Sequence, residues 1–126
     1  MTSTAPKTIL IVEDEEDIRS FYSEIFQEGG YNILEASNGQ EGLDLLKNNH
    51  WDALLLDIML PDRDGMHILE ELRNEPSLKK GVVIMLTNLN SEPVIKESFA
   101  LGADGYLVKA EITPDKIVSE IEQFFK

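Results

Sequence analysis

The sequence has no cysteine, which excludes a disulfide framework, a thiolate nucleophile and any cysteine-ligated metal. Basic residues are scarce: 11 Lys and Arg stand against 24 Asp and Glu, for a formal net charge of −13. Such a chain is repelled by a nucleic-acid phosphate backbone and by an anionic membrane surface, so neither is expected as a partner. No apolar run approaches the ~20 residues of a membrane-spanning helix. The opening Met1-Thr2-Ser3-Thr4-Ala5-Pro6-Lys7 lacks the apolar centre of a signal peptide, and a cytoplasmic location is the simplest expectation. There is no internal repeat, low-complexity segment or interdomain linker. At 126 residues, 42% of them apolar, the chain suits one domain with a real core. A short disordered lead is expected over residues 1–6 and the folded domain over 7–126.

What is present is organised around Ala53-Leu54-Leu55-Leu56-Asp57, an unbroken apolar run that ends on a carboxylate. So short and so apolar a run reads as a strand buried on both faces, the habit of a parallel sheet covered by helices. Ile9-Leu10-Ile11-Val12 repeats the pattern and ends on Glu13-Asp14; Val82 to Leu86 ends on Thr87; Gly105-Tyr106-Leu107-Val108 ends on Lys109. A weaker strand, Tyr31 to Ala36, ends on Ser37.

Helical spacing fills the gaps. Ile18, Phe21, Tyr22, Ile25 and Phe26 mark one apolar face, stopped by Gly29-Gly30. Ser37 with Gln40 three residues on has the form of a capping box before Leu43 and Leu46. Ile68, Leu69 and Leu72 mark a third helix ending before Pro76. Ser91-Glu92-Pro93 opens a fourth helix through Ile95 and Phe99, and Thr113-Pro114 a fifth through Ile117, Ile121 and Phe125. Alternation of strand and helix predicts an α/β fold built of right-handed βαβ units, with five strands and five helices.

If the strand order is 2-1-3-4-5, the second strand is an edge and the four loaded strand ends lie side by side at the switch point, where open α/β sheets bind ligands. That rim then holds three carboxylates (Glu13, Asp14, Asp57), the Thr87 hydroxyl and the Lys109 ammonium. Two like charges ~4 Å apart repel by about 4 kcal/mol at an effective dielectric of ~20, so the cluster needs cations or a proton. Lys109 supplies one charge. An all-oxygen donor set suits Mg²⁺, or Mn²⁺, as the rest. The same set suits a phosphoryl group, with an Asp carboxylate able to take it covalently. Simpler readings stand beside these. Glu13 and Asp14 also fit as first-turn acids favouring a helix dipole, Thr87 as a plain β-former and Tyr106 as an ordinary half-buried aromatic. Asp62 and Asp64 read as turn or cap residues, His50 and His67 as solvent-facing, and Trp51 as a packing anchor.

Ile9 to Asp14, Leu55 to Gly65 with Pro61 between, Thr87 and Gly105 to Lys109 together resemble the receiver domain of two-component response regulators, of the single-domain chemotaxis-regulator kind. The resemblance runs over about residues 7–126. It implies a flavodoxin-like doubly wound sheet. It implies that Asp57 accepts a phosphoryl group from the phosphohistidine of a sensor histidine kinase or a histidine phosphotransfer protein. Asp14 and Asp57 would then ligate Mg²⁺, with Glu13 acting through water and Met59 through its carbonyl. Lys109 and Thr87 would contact the phosphoryl group. Thr87 and Tyr106 would act as a switch that remodels the face of the fourth helix, last strand and last helix, where a protein target or output domain docks. The chain would catalyse only its own phosphorylation and dephosphorylation.

Three residues depart from the family pattern: Glu13 where Asp is usual, Asn88 where a small residue follows the hydroxyl, and Ala110 where proline often follows the lysine. Other readings make different demands. A Mg²⁺-dependent phosphohydrolase of related topology typically has a second acid two residues after the nucleophile, where this chain has Met59. A flavodoxin-type electron carrier needs a first loop that cradles phosphate, and Glu13 to Asp17 would repel it. A degenerate receiver used only for docking would not need the acids, Thr87 and Lys109 all intact.

Overall fold

The structure, a computed structural model, describes residues 5–126. Residues 1–4 of the expected lead lie outside the described residues, and Ala5 and Pro6 precede the first strand without regular structure. Among the described residues five strands form one sheet: β1 (Thr8–Val12), β2 (Asn32–Ala36), β3 (Ala53–Leu56), β4 (Val82–Thr87) and β5 (Gly105–Val108). Their order is β2-β1-β3-β4-β5 and every pairing is parallel. Five α-helices connect or follow them: α1 (Glu16–Glu28), α2 (Gly39–Asn48), α3 (Gly65–Asn74), α4 (Glu92–Ala100) and α5 (Pro114–Gln123). Short 3₁₀ turns cover Pro76–Leu78 and Lys109–Glu111.

The unbroken apolar runs are explained by two cores. Successive strand residues point to opposite faces. Ile9, Ile11, Leu55, Ile84 and Leu86 face Tyr22 and Phe26 of α1 and Ile117 and Ile121 of α5. Leu10, Val12, Leu54, Leu56, Val83 and Met85 face Leu43, Leu46, Ile68, Leu69 and Leu72 of α2 and α3. Trp51 anchors this second core from just before β3, fully buried, with its indole N–H donating to the Leu46 carbonyl at 3.1 Å.

Three local expectations are corrected. The cap of α2 is Asn38, not Ser37: its side chain accepts the Glu41 N–H at 2.9 Å, while the Glu41 carboxylate accepts the Ser37 N–H and hydroxyl. The box moves one residue on because the next two amides, of Gly39 and Gln40, are taken at 2.7 and 2.9 Å by the Asp62 carboxylate from the loop after β3. Phe21 and Phe99 do not join the core. Tyr22 and Phe26 turn α1 onto the sheet and leave Phe21 at its edge, and α4 buries Ser98 against the Met66 sulfur. Other readings hold: Asp64 caps α3 by accepting the Met66 N–H, both histidines are exposed, and Gly30 ends α1 at φ +91°, a conformation other residues adopt at a cost.

The C-terminus of α2 has an unforeseen cap. The Lys80 ammonium donates to the carbonyls of Leu46, Lys47 and Asn49 at 2.8, 3.0 and 2.7 Å, using all three of its donors. These are helix-end carbonyls without intrahelical partners, at the negative end of the dipole. Lys80→Met keeps the stem and removes the donors. It is expected to destabilise the fold by about 1–2 kcal/mol, read as a lower urea midpoint at unchanged m-value.

Candidate functional site

The loaded strand ends converge as the topology requires. The Glu13 N–H still extends the ladder, to the Ala36 carbonyl, and the Asp57 N–H donates to the Val12 carbonyl, so both acids are fixed by backbone bonds to neighbouring strands. Gly65 secures the loop beyond. A Cβ there would come 2.2 Å from the Asp57 carbonyl oxygen, so only glycine allows α3 to start this close beneath the strand end. Its N–H donates to the Ile58 carbonyl.

Glu13 and Asp57 are buried, at 3% and 6% exposure, whereas Asp14 is open to solvent. The Lys109 ammonium sits between the two buried acids. It donates to Asp57 Oδ2 at 2.7 Å and to Glu13 Oε1. The other Asp57 oxygen accepts the Met59 N–H at 3.1 Å, and Glu13 Oε2 accepts the Glu15 N–H at 3.2 Å. Burial pushes the Glu13 carboxyl above its ordinary pKa, against the opposing pull of Lys109. Burial would lower the Lys109 pKa, but its hydrogen bonds to Asp57 and Glu13 and their charges outweigh it and hold the ammonium above the usual lysine range.

One carboxylate oxygen from each of Glu13, Asp14 and Asp57 lies within 4.8 Å of the other two. Oxygens ~2.1 Å from a common Mg²⁺ lie at most ~4.2 Å apart, so a small closing movement, or a water between Glu13 and the ion, completes the fit. The donor set is hard, anionic and all oxygen, as a divalent cation of this kind prefers. Next to it opens a cleft of about 210 Å³ lined by Asp14, Glu15, Asp57, Met59, Thr87, Asn88 and Lys109.

Thr87 lines this cleft fully buried, and its hydroxyl oxygen receives the Leu89 N–H at 3.4 Å. Tyr106 stands farther back on β5 and donates its hydroxyl to the Leu89 carbonyl at 2.6 Å, which ties β5 to the loop after Thr87. Of the residues singled out in the sequence, Glu13, Asp14, Asp57, Met59, Thr87 and Lys109 meet at one place, and Tyr106 reaches it through Leu89. Asn88 turns its side chain to the Ala110 N–H. The Lys109–Ala110 peptide is trans, as are all peptides among the described residues.

Sequence reasoning missed Arg19. Its guanidinium donates to the Glu13 carbonyl at 2.9 Å and pairs with Glu35 at 3.5 Å, so it props the acid from behind. The available signal was a lone cation placed just after five consecutive acids.

Comparison with known proteins agrees with this geometry. The family model described as the response regulator receiver domain matches residues 9–122. The transcriptional regulatory protein SrrA of Staphylococcus aureus is 37% identical over 118 residues, covering 94% of this chain but 47% of that protein, so the chain spans about half the length of such relatives. A CheY-like response regulator receiver domain protein from Methanospirillum hungatei superimposes with a TM-score of 0.85 at 31% identity, covering 94% of this chain and 93% of that one. The chemotaxis protein CheY4 of Vibrio cholerae gives 0.87 at 28% identity, with 95% and 99% covered. These matches lend no support to a phosphohydrolase. Among the described residues, no helix is long and apolar enough to cross a membrane. A family match across most of the chain, shared by sequence relatives and solved folds alike, means that the chain belongs to the response regulator receiver domains of two-component systems, a signalling family rather than a classical enzyme.

Proposed function

We propose that residues 7–126 form a phosphoacceptor unit in which Asp57 takes a phosphoryl group from a phosphohistidine of a sensor histidine kinase or phosphotransfer protein. The carrying observation is the Asp57 carboxylate itself: rigid at a strand end, held by Lys109 and by the Met59 N–H, and flanked by two further acids able to hold a cation. In the transfer an Asp57 oxygen bonds to phosphorus, the phosphorus–nitrogen bond to the imidazole breaks, and the imidazole leaves with the electron pair and picks up a proton. Such a displacement needs positioning and charge neutralisation more than covalent chemistry. Asp14, Asp57 and the Met59 carbonyl would hold Mg²⁺ (or Mn²⁺), with Glu13 acting through water. When bound, the ion neutralises phosphoryl oxygens against the local carboxylates.

In this reading Lys109 pairs with a second phosphoryl oxygen. Thr87, whose hydroxyl oxygen accepts the Leu89 N–H, donates its own O–H to a third. Since Leu89 is bonded to Thr87 through its N–H and to Tyr106 through its carbonyl, a shift of Thr87 toward the phosphoryl group would be passed to β5. It would alter the α4–β5–α5 face, where Phe99 lies exposed, for a downstream protein or output domain. Water later releases the phosphate.

The test is incubation with acetyl phosphate and Mg²⁺. A stoichiometric, alkali-labile acyl phosphate that maps to Asp57 and is prevented by a chelator is the expected result. Steady release of phosphate from simple esters without a bound intermediate would instead favour a hydrolase.

A further inference from the structure

Two of the departures from the family pattern are one feature in space. The Asn88 side-chain oxygen accepts the Ala110 N–H at 2.9 Å. Asn88 directly follows Thr87, the last residue of β4, and Ala110 directly follows Lys109, which opens the 3₁₀ turn Lys109–Glu111. The bond therefore joins the peptide that carries the ammonium to the loop that carries the hydroxyl, 22 residues apart in sequence. Each departure needs the other: a proline at 110 has no N–H to give, and a small apolar residue at 88 has no oxygen to receive one.

The tether acts at one edge of the sheet. β5 is an edge strand, paired with β4 alone and only half-buried along its length. Lysine carries its charge on a flexible four-carbon stem, so where the ammonium comes to rest depends on how firmly the backbone beneath it is held. We propose that Asn88 is a positioning residue for Lys109. It fixes the Lys109–Ala110 peptide so that the ammonium stands between Glu13 and Asp57, and it makes any displacement of the Thr87 loop a displacement of Lys109 as well. The proposal rests on the phosphoacceptor reading of Asp57 and adds to it a mechanical link between hydroxyl and ammonium. It differs from a role for Asn88 in narrowing the cleft, because the side chain acts through Ala110 rather than by its bulk.

The test uses the full chain and two readouts. Asn88 and Ala110 are both exposed, so Asn88→Ala folds with little change in thermal midpoint. Its Ala110 amide is expected to exchange with solvent about tenfold faster, and acetyl phosphate labelling at Asp57 to slow by about threefold. Asn88→Asp, which keeps an acceptor oxygen, should retain Ala110 protection. Ala110→Pro deletes the donor, so in that background Asn88→Ala should leave the labelling rate within about a factor of two. Unchanged exchange at Ala110 in Asn88→Ala overturns the proposal. So does an equal effect on labelling in both backgrounds, which would assign Asn88 a steric role at the cleft mouth. A wild-type chain that takes no label removes the phosphoacceptor reading, while the exchange measurement still decides whether Asn88 holds Ala110.

Discussion

Asp57→Asn is expected to take up no label from acetyl phosphate and Mg²⁺ while remaining folded. The amide that replaces the carboxylate is uncharged and a poor nucleophile, so phosphoryl uptake should fall by more than about 100-fold. Folding should survive because the single Asn carbonyl oxygen can still accept from the Met59 N–H, while Lys109 keeps its hydrogen bond to Glu13. The electrostatic effects offset each other. The substitution removes the repulsions of Asp57 with Glu13 and with Asp14, each worth about 3–4 kcal/mol at ~4–5 Å and an effective dielectric of ~20, and it removes an attraction to Lys109 of about 6 kcal/mol at their closer contact. Thermal stability without Mg²⁺ should therefore stay within about 1 kcal/mol of wild type. Mg²⁺ should separate the two proteins. The wild type gains stability from a bound cation by mass action, and the variant, one carboxylate short, should gain much less. Normal labelling of Asp57→Asn, or an undiminished response to Mg²⁺, would remove Asp57 from the centre of the site.

The residues in this prediction were legible in the sequence because each stands at the end of an apolar run. Where a buried strand stops, the next side chain has a fixed position, and parallel strands put all such positions on one rim. That is why Glu13, Asp57, Thr87 and Lys109 could be grouped without coordinates. What stayed hidden depends on partners distant in sequence with no periodicity to announce them. Asp62 caps α2 from 23 residues away, Lys80 closes the same helix from 34, and Asn88 receives an amide from 22. Asp62 was recognisable as a cap residue, but not as a cap for a helix that precedes it. Phe21 and Phe99 mislead in another way. A helical stripe is wider than the strip that reaches the sheet, so its margin is indistinguishable from its centre until the neighbouring elements are placed. Glu13 illustrates a third limit: the family resemblance implied a reach through water to a cation, but its burial and its share of the Lys109 ammonium are properties of the packed site.

Lys109→Met should destabilise the chain in the absence of Mg²⁺ by about 3 kcal/mol at neutral pH, at the low end for breaking a buried ion pair because the cleft opens to water. Methionine keeps most of the stem and its packing, so the loss isolates the ammonium. The side chains of Glu13 and Asp57, 3% and 8% exposed, would then face each other without a counter-charge. The pH dependence follows from the two shifts. Burial already holds the Glu13 carboxyl above its ordinary value with Lys109 present, and removing the ammonium pushes it higher. A carboxyl raised by folding binds the extra proton in the folded state. The variant's deficit is therefore complete above the folded Glu13 pKa and shrinks as the pH falls through it toward the unfolded value of ~4.3. At the other end, the folded Lys109 pKa lies above its unfolded value. The lysine's contribution to the wild type is then fully present below ~10.4 and lost as the pH rises through the folded pKa. Urea midpoints of the two proteins should differ most across the interval between, and converge at both ends. Mg²⁺ should recover part of the deficit, since a cation held by Asp14 and Asp57 replaces the missing charge, and the variant should respond to it more strongly than the wild type. A variant as stable as the wild type at pH 7, indifferent to both pH and Mg²⁺, would show that the acids are neutralised by something other than Lys109.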